Sequence, residues 1–326
     1  MPLRPLRLHA GRSVDLYPTS PFHFDGTMWK PHHFPSNDQA WMPGVLWQTL
    51  RLAQDIYGLK MGALGTIDEP QIRLTVFSSR ALKPRVFSKI VREVTRRYDL
   101  DSTAIAEFVQ RYSTDKILGH VIERWRGMRP KSGYSLYEYL VITVMLQNTV
   151  VKRSVAMLHS LFEHYGRLAE FDEHELWAFW EAKAIERTSE KELRALRVGY
   201  RAKILKRQAN QLVRRHIDEG RLWGLGRTER LKELDKIYGV GPQSAGYMLY
   251  EFFHDYDALE HIPPWEGKIY SRILFGHDRA SPERIMEFVG RRFPGFRHLA
   301  LDYLITDLFW RHREQNIDWL AKLIRR

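Results

Sequence analysis

Leu231-Lys232-Glu233-Leu234-Asp235-Lys236-Ile237-Tyr238-Gly239-Val240-Gly241-Pro242-Gln243-Ser244-Ala245-Gly246-Tyr247-Met248-Leu249 is the stretch on which the reading of this chain turns. It predicts a helix that ends at a tight turn and a second helix that begins just after it. Gly239 and Gly241 allow positive φ and close backbone approach in the turn, and Pro242 suits the first turn of the second helix. The turn thus presents free amides at a helix N-terminus, which bind a phosphate through the backbone without reading any base. Alone, a Gly-x-Gly link between helices is also an ordinary structural turn, so its meaning depends on its surroundings.

Upstream, Ser135-Leu136-Tyr137-Glu138 is a capping-box pattern that opens the apolar run from Tyr139 to Leu146, predicting a buried central helix. The run stops at Gln147-Asn148-Thr149, polar residues suited to cap a following helix over Val150 to His164, with Gly166 as its stop. Closer to the start the texture differs. From about Leu3 to Ser79 the chain is rich in Pro, Gly and aromatics, and Gln71-Ile72-Arg73-Leu74-Thr75-Val76-Phe77 alternates with a period of two, as a half-buried strand does. Past Pro84, Val86 to Tyr98 and Ser102 to Tyr112 carry apolar residues at helical spacing, and everything beyond reads as helical. The expected class is α+β, mostly α: an antiparallel β domain with flanking helices over residues 1–112, then a two-lobed helical body over 113–326. There is no internal repeat, and the basic tail Leu323-Ile324-Arg325-Arg326 reads as the continuation of a helix.

The totals narrow the function. A chain of 326 residues with 44% apolar content can bury a full core without staples. Having no cysteine, it can carry no disulfide, thiolate nucleophile, zinc-thiolate site or cysteine-held iron-sulfur cluster. No apolar run nears the roughly 20 residues that span a bilayer, and Met1-Pro2-Leu3-Arg4-Pro5 lacks a signal-type apolar core. A soluble, intracellular protein is expected, in the cytoplasm and nucleoid or in a nucleus. Lys+Arg 51 against Asp+Glu 39 gives a net charge of +12, compatible with a phosphate-binding surface and equally with solvated lysines.

Ile237-Tyr238-Gly239-Val240-Gly241-Pro242-Gln243-Ser244-Ala245 resembles the hairpin of the helix-hairpin-helix DNA glycosylase superfamily. Other stretches resemble that family in the same order: Leu146-Gln147-Asn148-Thr149, then Leu196-Arg197-Val198-Gly199-Tyr200-Arg201-Ala202-Lys203-Ile204, then Phe293-Pro294-Gly295-Phe296-Arg297-His298-Leu299-Ala300. They cover about residues 120 to 310. The aromatic-rich β region before them is similar to that of the branch holding the alkylpurine and 8-oxoguanine enzymes. The resemblance implies DNA contacts at Gly239, Val240, Gly241, Gln243 and Ser244, and a polar side chain, Gln147 or Asn148, filling the stack that a flipped base leaves.

In that family the second hairpin helix either carries a lysine nucleophile or leaves hydrolysis to a carboxylate. Gln243 stands at the lysine position and cannot form a Schiff base, so the resemblance implies a monofunctional enzyme unless another amine, such as Lys268, reaches the sugar. The family's catalytic aspartate lies about twenty residues past the hairpin. No aspartate stands there. Aligning His261-Ile262-Pro263 and the helix through Arg272 leaves Trp265 or Glu266, which makes Glu266 the candidate, with Asp257 and Glu260 in reserve. A carboxylate suits the site because base loss leaves a cationic, oxocarbenium-like sugar that an anion stabilises, while the same group can orient or deprotonate water. A carboxylate in the first turn of a helix is also a plain partner for the macrodipole. Tyr247, one turn after Gln243, and Trp265 suit the walls of a base pocket that includes Gln243, or a core.

The function expected is hydrolysis of the N-glycosidic bond of a damaged base in double-stranded DNA by a monomer, with an alkylated purine first among substrates. The alternatives are a non-catalytic damage-binding module and a bifunctional glycosylase with abasic-site lyase activity. No cofactor is required and no iron-sulfur cluster is expected. The resemblance admits Na+ or K+ at the carbonyls of Asp235, Ile237 and Val240. His23, His32 and His33 have no metal-site spacing and read as surface or packing residues.

Overall fold

The computed structural model describes residues 4–324. Met1 to Leu3, and Arg325 and Arg326 of the basic tail, lie outside the described residues. Five antiparallel strands form the first sheet, in the order His9–Leu16, Ile72–Ser78, Asp55–Ala63, Val45–Leu52, Gln39–Met42. Ile72, Leu74 and Val76 point inward with Arg73 exposed between them, the alternation a one-sided sheet demands. Leu46, Leu50, Leu59 and Met61 join them beneath helix Pro84–Arg97, whose Ile90 and Val94 close that core.

The region after Gly166 is not wholly helical, contrary to the expectation. Arg167–Phe171 and His174–Ala178 form a β-hairpin that pairs with Leu6–Arg7 in a second sheet. Asp172 and Glu173 both have positive φ, 49° and 65°, as a two-residue primed turn needs. Ala169, Phe171, Leu176 and Ala178 bury against Trp47, Ile56 and Phe77 on the outer face of the first sheet. That burial makes the extended state win. A Cβ on Gly58 would stand 2.5 Å from the Phe171 ring, so the strand needs glycine where the hairpin crosses it.

The helical body has two cores. One joins Ala104–Tyr112, Gly119–Trp125, Pro264–Phe275, Pro282–Arg292 and the long helix Arg297–Gln315. The other is built on Leu136–Leu146, Val151–Tyr165 and Arg201–Val213, with the hairpin helices packed beside it. The capping box forms: the Ser135 amide donates to Glu138 Oε2 at 2.7 Å and the Glu138 amide to Ser135 Oγ at 3.4 Å. Gly166 ends its helix at φ −72°, and a Cβ there would meet the Phe162 carbonyl oxygen at 2.6 Å. At the far end Asn316, at φ 48°, breaks the last long helix, and Leu323 and Ile324 belong to a separate short helix, Asp318–Ile324. No helix among the described residues is long and apolar enough to cross a membrane.

Candidate active site

Helix Arg227–Asp235 leads through the turn to helix Pro242–Tyr247. Gly239 has φ +83°, and a Cβ there would lie 2.6 Å from Ile204 Cγ2, so both conformation and contact require glycine. Gly241 differs from expectation. Its φ is −106°, open to any residue, and a Cβ would meet nothing within 4 Å. The space a side chain would fill there is left free on the outside of the turn. Three glutamines hold the hairpin: Gln147 Nε2 donates to Gly239 O at 2.9 Å, Gln208 Nε2 to Tyr238 O at 3.0 Å and Gln211 Nε2 to Lys236 O at 2.8 Å. No side chain caps helix Pro242–Tyr247, so its first amides are without a side-chain partner among the described residues, next to the exposed Gly241, Pro242 and Gln243.

Gln147 and Asn148 stand beside the hairpin at the end of the central helix. They do not cap the next helix, as the sequence suggested; Val150 is its N-cap and makes no side-chain bond. Asn148 instead takes φ +47° and donates to Tyr200 Oη at 3.5 Å. Arg201, buried, donates to the Val144 carbonyl at 3.0 Å and to that of Gln147, fixing the turn from below. Tyr200 is 46% exposed and Val150 and Val151 more than half exposed. An apolar, aromatic knob therefore flanks the two amides, a feature the sequence reading missed.

Glu266 lies in the first turn of helix Pro264–Phe275 and is buried. Tyr247 Oη, from the hairpin helix, donates to Glu266 Oε1, and Tyr270 Oη reaches Oε2 at 3.5 Å. Burial raises its pKa to about 7, against the pull of the two tyrosine hydrogen bonds and with the push of nearby Glu251. The structure thus brings Glu266 and Tyr247 together across the seam of the two cores. Trp265 beside Glu266 is 43% exposed, and Gln243 is exposed one turn before Tyr247. Lys268 is exposed two residues on from Glu266, and two helical residues turn the side chain to the opposite face.

The reserve carboxylates lie elsewhere. Asp257 accepts from the Arg297 amide at 3.1 Å and from Arg297 Nε at 2.9 Å, with Arg227 3.5 Å away; these arginine bonds hold its pKa down against burial. It lines a concavity of about 560 Å³ with Arg227, His254 and Asp255, a lining that does not include Glu266. Glu260 is exposed beside Gly246.

Behind Glu266 lies a cluster of ionisable groups. Lys30, from the segment after the first short helix, is buried and paired with Asp302 of the last long helix. Asp302 also accepts from Tyr250 Oη at 2.6 Å and Thr306 Oγ1 at 3.2 Å. His32 Nε2 is 3.8 Å from Asp302 and His33 Nε2 3.6 Å from Glu251. Burial lowers the pKa of His32 to about 4 and that of His33 well below its ordinary value, and raises that of Glu251 to about 7. His32 and His33, read from sequence as surface or packing residues, thus sit against two carboxylates. His23 instead accepts the Gly26 amide at 3.1 Å as a helix cap. One signal was available: Glu251 interrupts the apolar run Met248-Leu249-Tyr250-Glu251-Phe252-Phe253, and Asp302 and Thr306 interrupt another at helical spacing.

This architecture, a β region followed by two helical cores meeting at a hairpin, is that of solved DNA glycosylases. The 3-methyladenine DNA-glycosylase from Archaeoglobus fulgidus matches with a TM-score of 0.75 at 17% identity, over 93% of this chain and 99% of that one. The Clostridium acetobutylicum 8-oxoguanine glycosylase/lyase, in complex with double-stranded DNA containing cytosine opposite 8-oxoguanine, matches with a TM-score of 0.68 at 18% identity, over 95% and 98%. No protein-family model and no curated protein matches the chain.

Proposed function

We propose that the chain is a monofunctional DNA glycosylase, which turns a damaged base out of duplex DNA and hydrolyses its N-glycosidic bond. The observation that carries this is Glu266, a buried carboxylate at a helix start, held by Tyr247 of the hairpin helix. Ionised, it opposes the positive charge that develops on the sugar and orients the attacking water. The uncapped amides and open Gly241 suit a phosphate, Gln147, Asn148 and Tyr200 suit the gap left in the stack, and Tyr247 and Trp265 suit the base. Gln243 at the lysine position cannot form a covalent adduct, and Lys268 is turned away from Glu266, which supports hydrolysis. An alkylated purine remains the first substrate, because its glycosidic bond is already weakened by positive charge. The carbonyls of Asp235 and Val240 accept no hydrogen bond among the described residues and that of Ile237 accepts one, from the Val240 amide at 3.0 Å; the three fit Na+ or K+, which would bring positive charge to the phosphate face. The protein would act as a monomer on DNA inside the cell.

The test is base release from duplexes carrying methylated, deaminated or oxidised bases. The wild type releases at least one base and leaves strands intact until heat or alkali is applied; Glu266→Gln, folded, releases none. Binding to abasic-site DNA without any release would favour a damage-binding module, a reading supported by Trp265 standing exposed where a carboxylate was expected. Borohydride trapping of a protein–DNA adduct would favour a lyase.

A further inference from the structure

We infer that Glu251 is a second catalytic carboxyl group, the acid that protonates a departing neutral base, with His33 connecting it to solvent. The inference rests on the glycosylase reading and extends its substrate class from cationic bases to neutral purines, which leave poorly as anions.

Glu251 follows Tyr247 by four residues, so it lies one turn further along the wall that holds Glu266. Between them the helix widens: the Phe253 amide bonds to the Met248 carbonyl at 3.0 Å, an i→i+5 turn. Such a turn is rare and recurs at functional sites. The wide turn also straddles the two cores, with Met248 and Leu249 in one and Tyr250 in the other. The Glu251 side chain keeps 22% of its surface exposed and that of His33 20%, so both reach the solvent side of an otherwise buried cluster.

Each Glu251 oxygen has its own neighbour. Oε2 accepts from Tyr139 Oη at 2.6 Å, from the central helix, and Oε1 faces His33 Nε2 at 3.6 Å. Burial and Asp302 push its pKa up while the Tyr139 hydrogen bond, Lys30 and Lys131 draw it down, the net placing it at about 7. Glu266 is poised at about the same value, so the two carboxyl groups share protons in the neutral range. Glu266 sits at a helix N-terminus and accepts two tyrosine hydrogen bonds, while Glu251 accepts one from Tyr139. The reaction draws on the form with the anion on Glu266 and the proton on Glu251. His33, neutral because burial, His32 and the two lysines all disfavour its charge, can take a proton on one ring nitrogen and release the other.

The step balances. The C1′–N bond breaks, its electron pair goes to the base nitrogen, and the Glu251 proton follows it. Water forms the new bond to C1′ and gives a proton to the Glu266 carboxylate. One proton leaves Glu251 and one arrives at Glu266, and solvent restores both, reaching Glu251 through His33.

Two kinds of leaving base separate this role from a structural one. A 7-methylguanine leaves uncharged without a proton, whereas hypoxanthine and 8-oxoguanine do not. Single-turnover release with enzyme in excess is measured from duplexes containing each, for wild type and Glu251→Gln, from pH 5.5 to 9. The variant should lose about 100-fold on the neutral purines and less than about threefold on 7-methylguanine. Wild-type release of neutral purines should decline above about pH 7, and the variant should lose that decline. A misfolded fraction lowers both rates alike, so the ratio survives partial unfolding. Equal losses on both kinds of base, or a persisting alkaline decline, would overturn the role of Glu251. Wild type that releases 7-methylguanine but neither neutral purine overturns it while leaving the glycosylase reading intact; wild type that releases no base from any duplex overturns both.

Discussion

Glu266→Gln should make the protein inactive and, at alkaline pH, more stable. Burial moves this carboxyl from its ordinary value near 4.5 to about 7. Because the folded value is the higher one, the group favours the folded state fully below about pH 4.5 and loses that contribution as the pH rises through about 7. At about 1.4 kcal/mol per tenfold change in proton affinity, the ionised form costs the native state about 3 kcal/mol by pH 8. Glutamine has no such cost. Its amide oxygen can accept from Tyr247, but its NH2 turns toward Tyr270, so about 1 kcal/mol of hydrogen bonding is given back. The net expectation is a gain of about 2 kcal/mol at pH 8 and about no net change at pH 5, where about 1 kcal/mol of the ionisation cost is already present and offsets the lost hydrogen bonding. Urea unfolding of both proteins at the two pH values measures this as a shift in midpoint at constant slope. A change in stability of the same sign and size at pH 5 and pH 8 would mean that Glu266 ionises as freely as a surface carboxylate, and the case for a poised base would fall with it.

Four further substitutions probe the surrounding architecture. Gly239→Ala forces a Cβ to positive φ and to 2.6 Å from Ile204 Cγ2, and should cost about 2 kcal/mol or more in thermal unfolding; Gly241→Ala, with open space around it, should fold normally yet weaken binding to abasic-site DNA about tenfold in an anisotropy titration, as a phosphate pressed against that backbone would require. Asp257→Asn removes the charge opposite Arg297 at a partly exposed position, costing about 1 kcal/mol of stability and leaving single-turnover base release within about twofold; abolished release in a folded Asp257→Asn protein would transfer the catalytic role from Glu266. Tyr200→Ala removes an exposed ring, should leave the melting temperature unchanged, and should weaken abasic-site binding by about 1 to 3 kcal/mol if the ring stacks on the gapped duplex.

What the sequence made legible was local. The hairpin was readable because glycine and proline act on their own neighbours, and the capping box because Ser135 and Glu138 lie three residues apart. Strand Ile72–Ser78 was readable because its period of two runs from Ile72 to Val76. The hairpin at residues 167 to 178 was not. Its strands hold five residues each, its turn uses Asp172-Glu173 rather than an asparagine and glycine, and its stability comes from Trp47, Ile56 and Phe77, about a hundred residues away. Gly241 misled in the opposite sense, since glycine signals permission for positive φ, not its use. The candidate site was half legible: Glu266 and Tyr247 lie in a recognisable stretch, but Lys30 and His33, Tyr139, Glu251 and Asp302 come from four separate segments and meet only through the fold.

The Lys30–Asp302 pair explains why the β region and the site cannot be treated as separate parts. Both side chains are almost wholly buried, and a buried ion pair is a poor way to gain stability, since apolar residues of similar volume do as well or better. Breaking it from one side, however, leaves an uncompensated charge and costs about 3 to 5 kcal/mol. Lys30 reaches Asp302 only if the segment after helix Phe24–Met28 lies across the last long helix, and that same course sets His32 against Phe309, with ring centroids 5.4 Å apart, and His33 against Glu251. A bond that contributes little to stability but is costly to break acts as a register mark. Here it keeps two histidines of the N-terminal region against carboxylates that belong to the helical body, so that if the proposed site is the catalytic one, the β region is part of it and not an appendage.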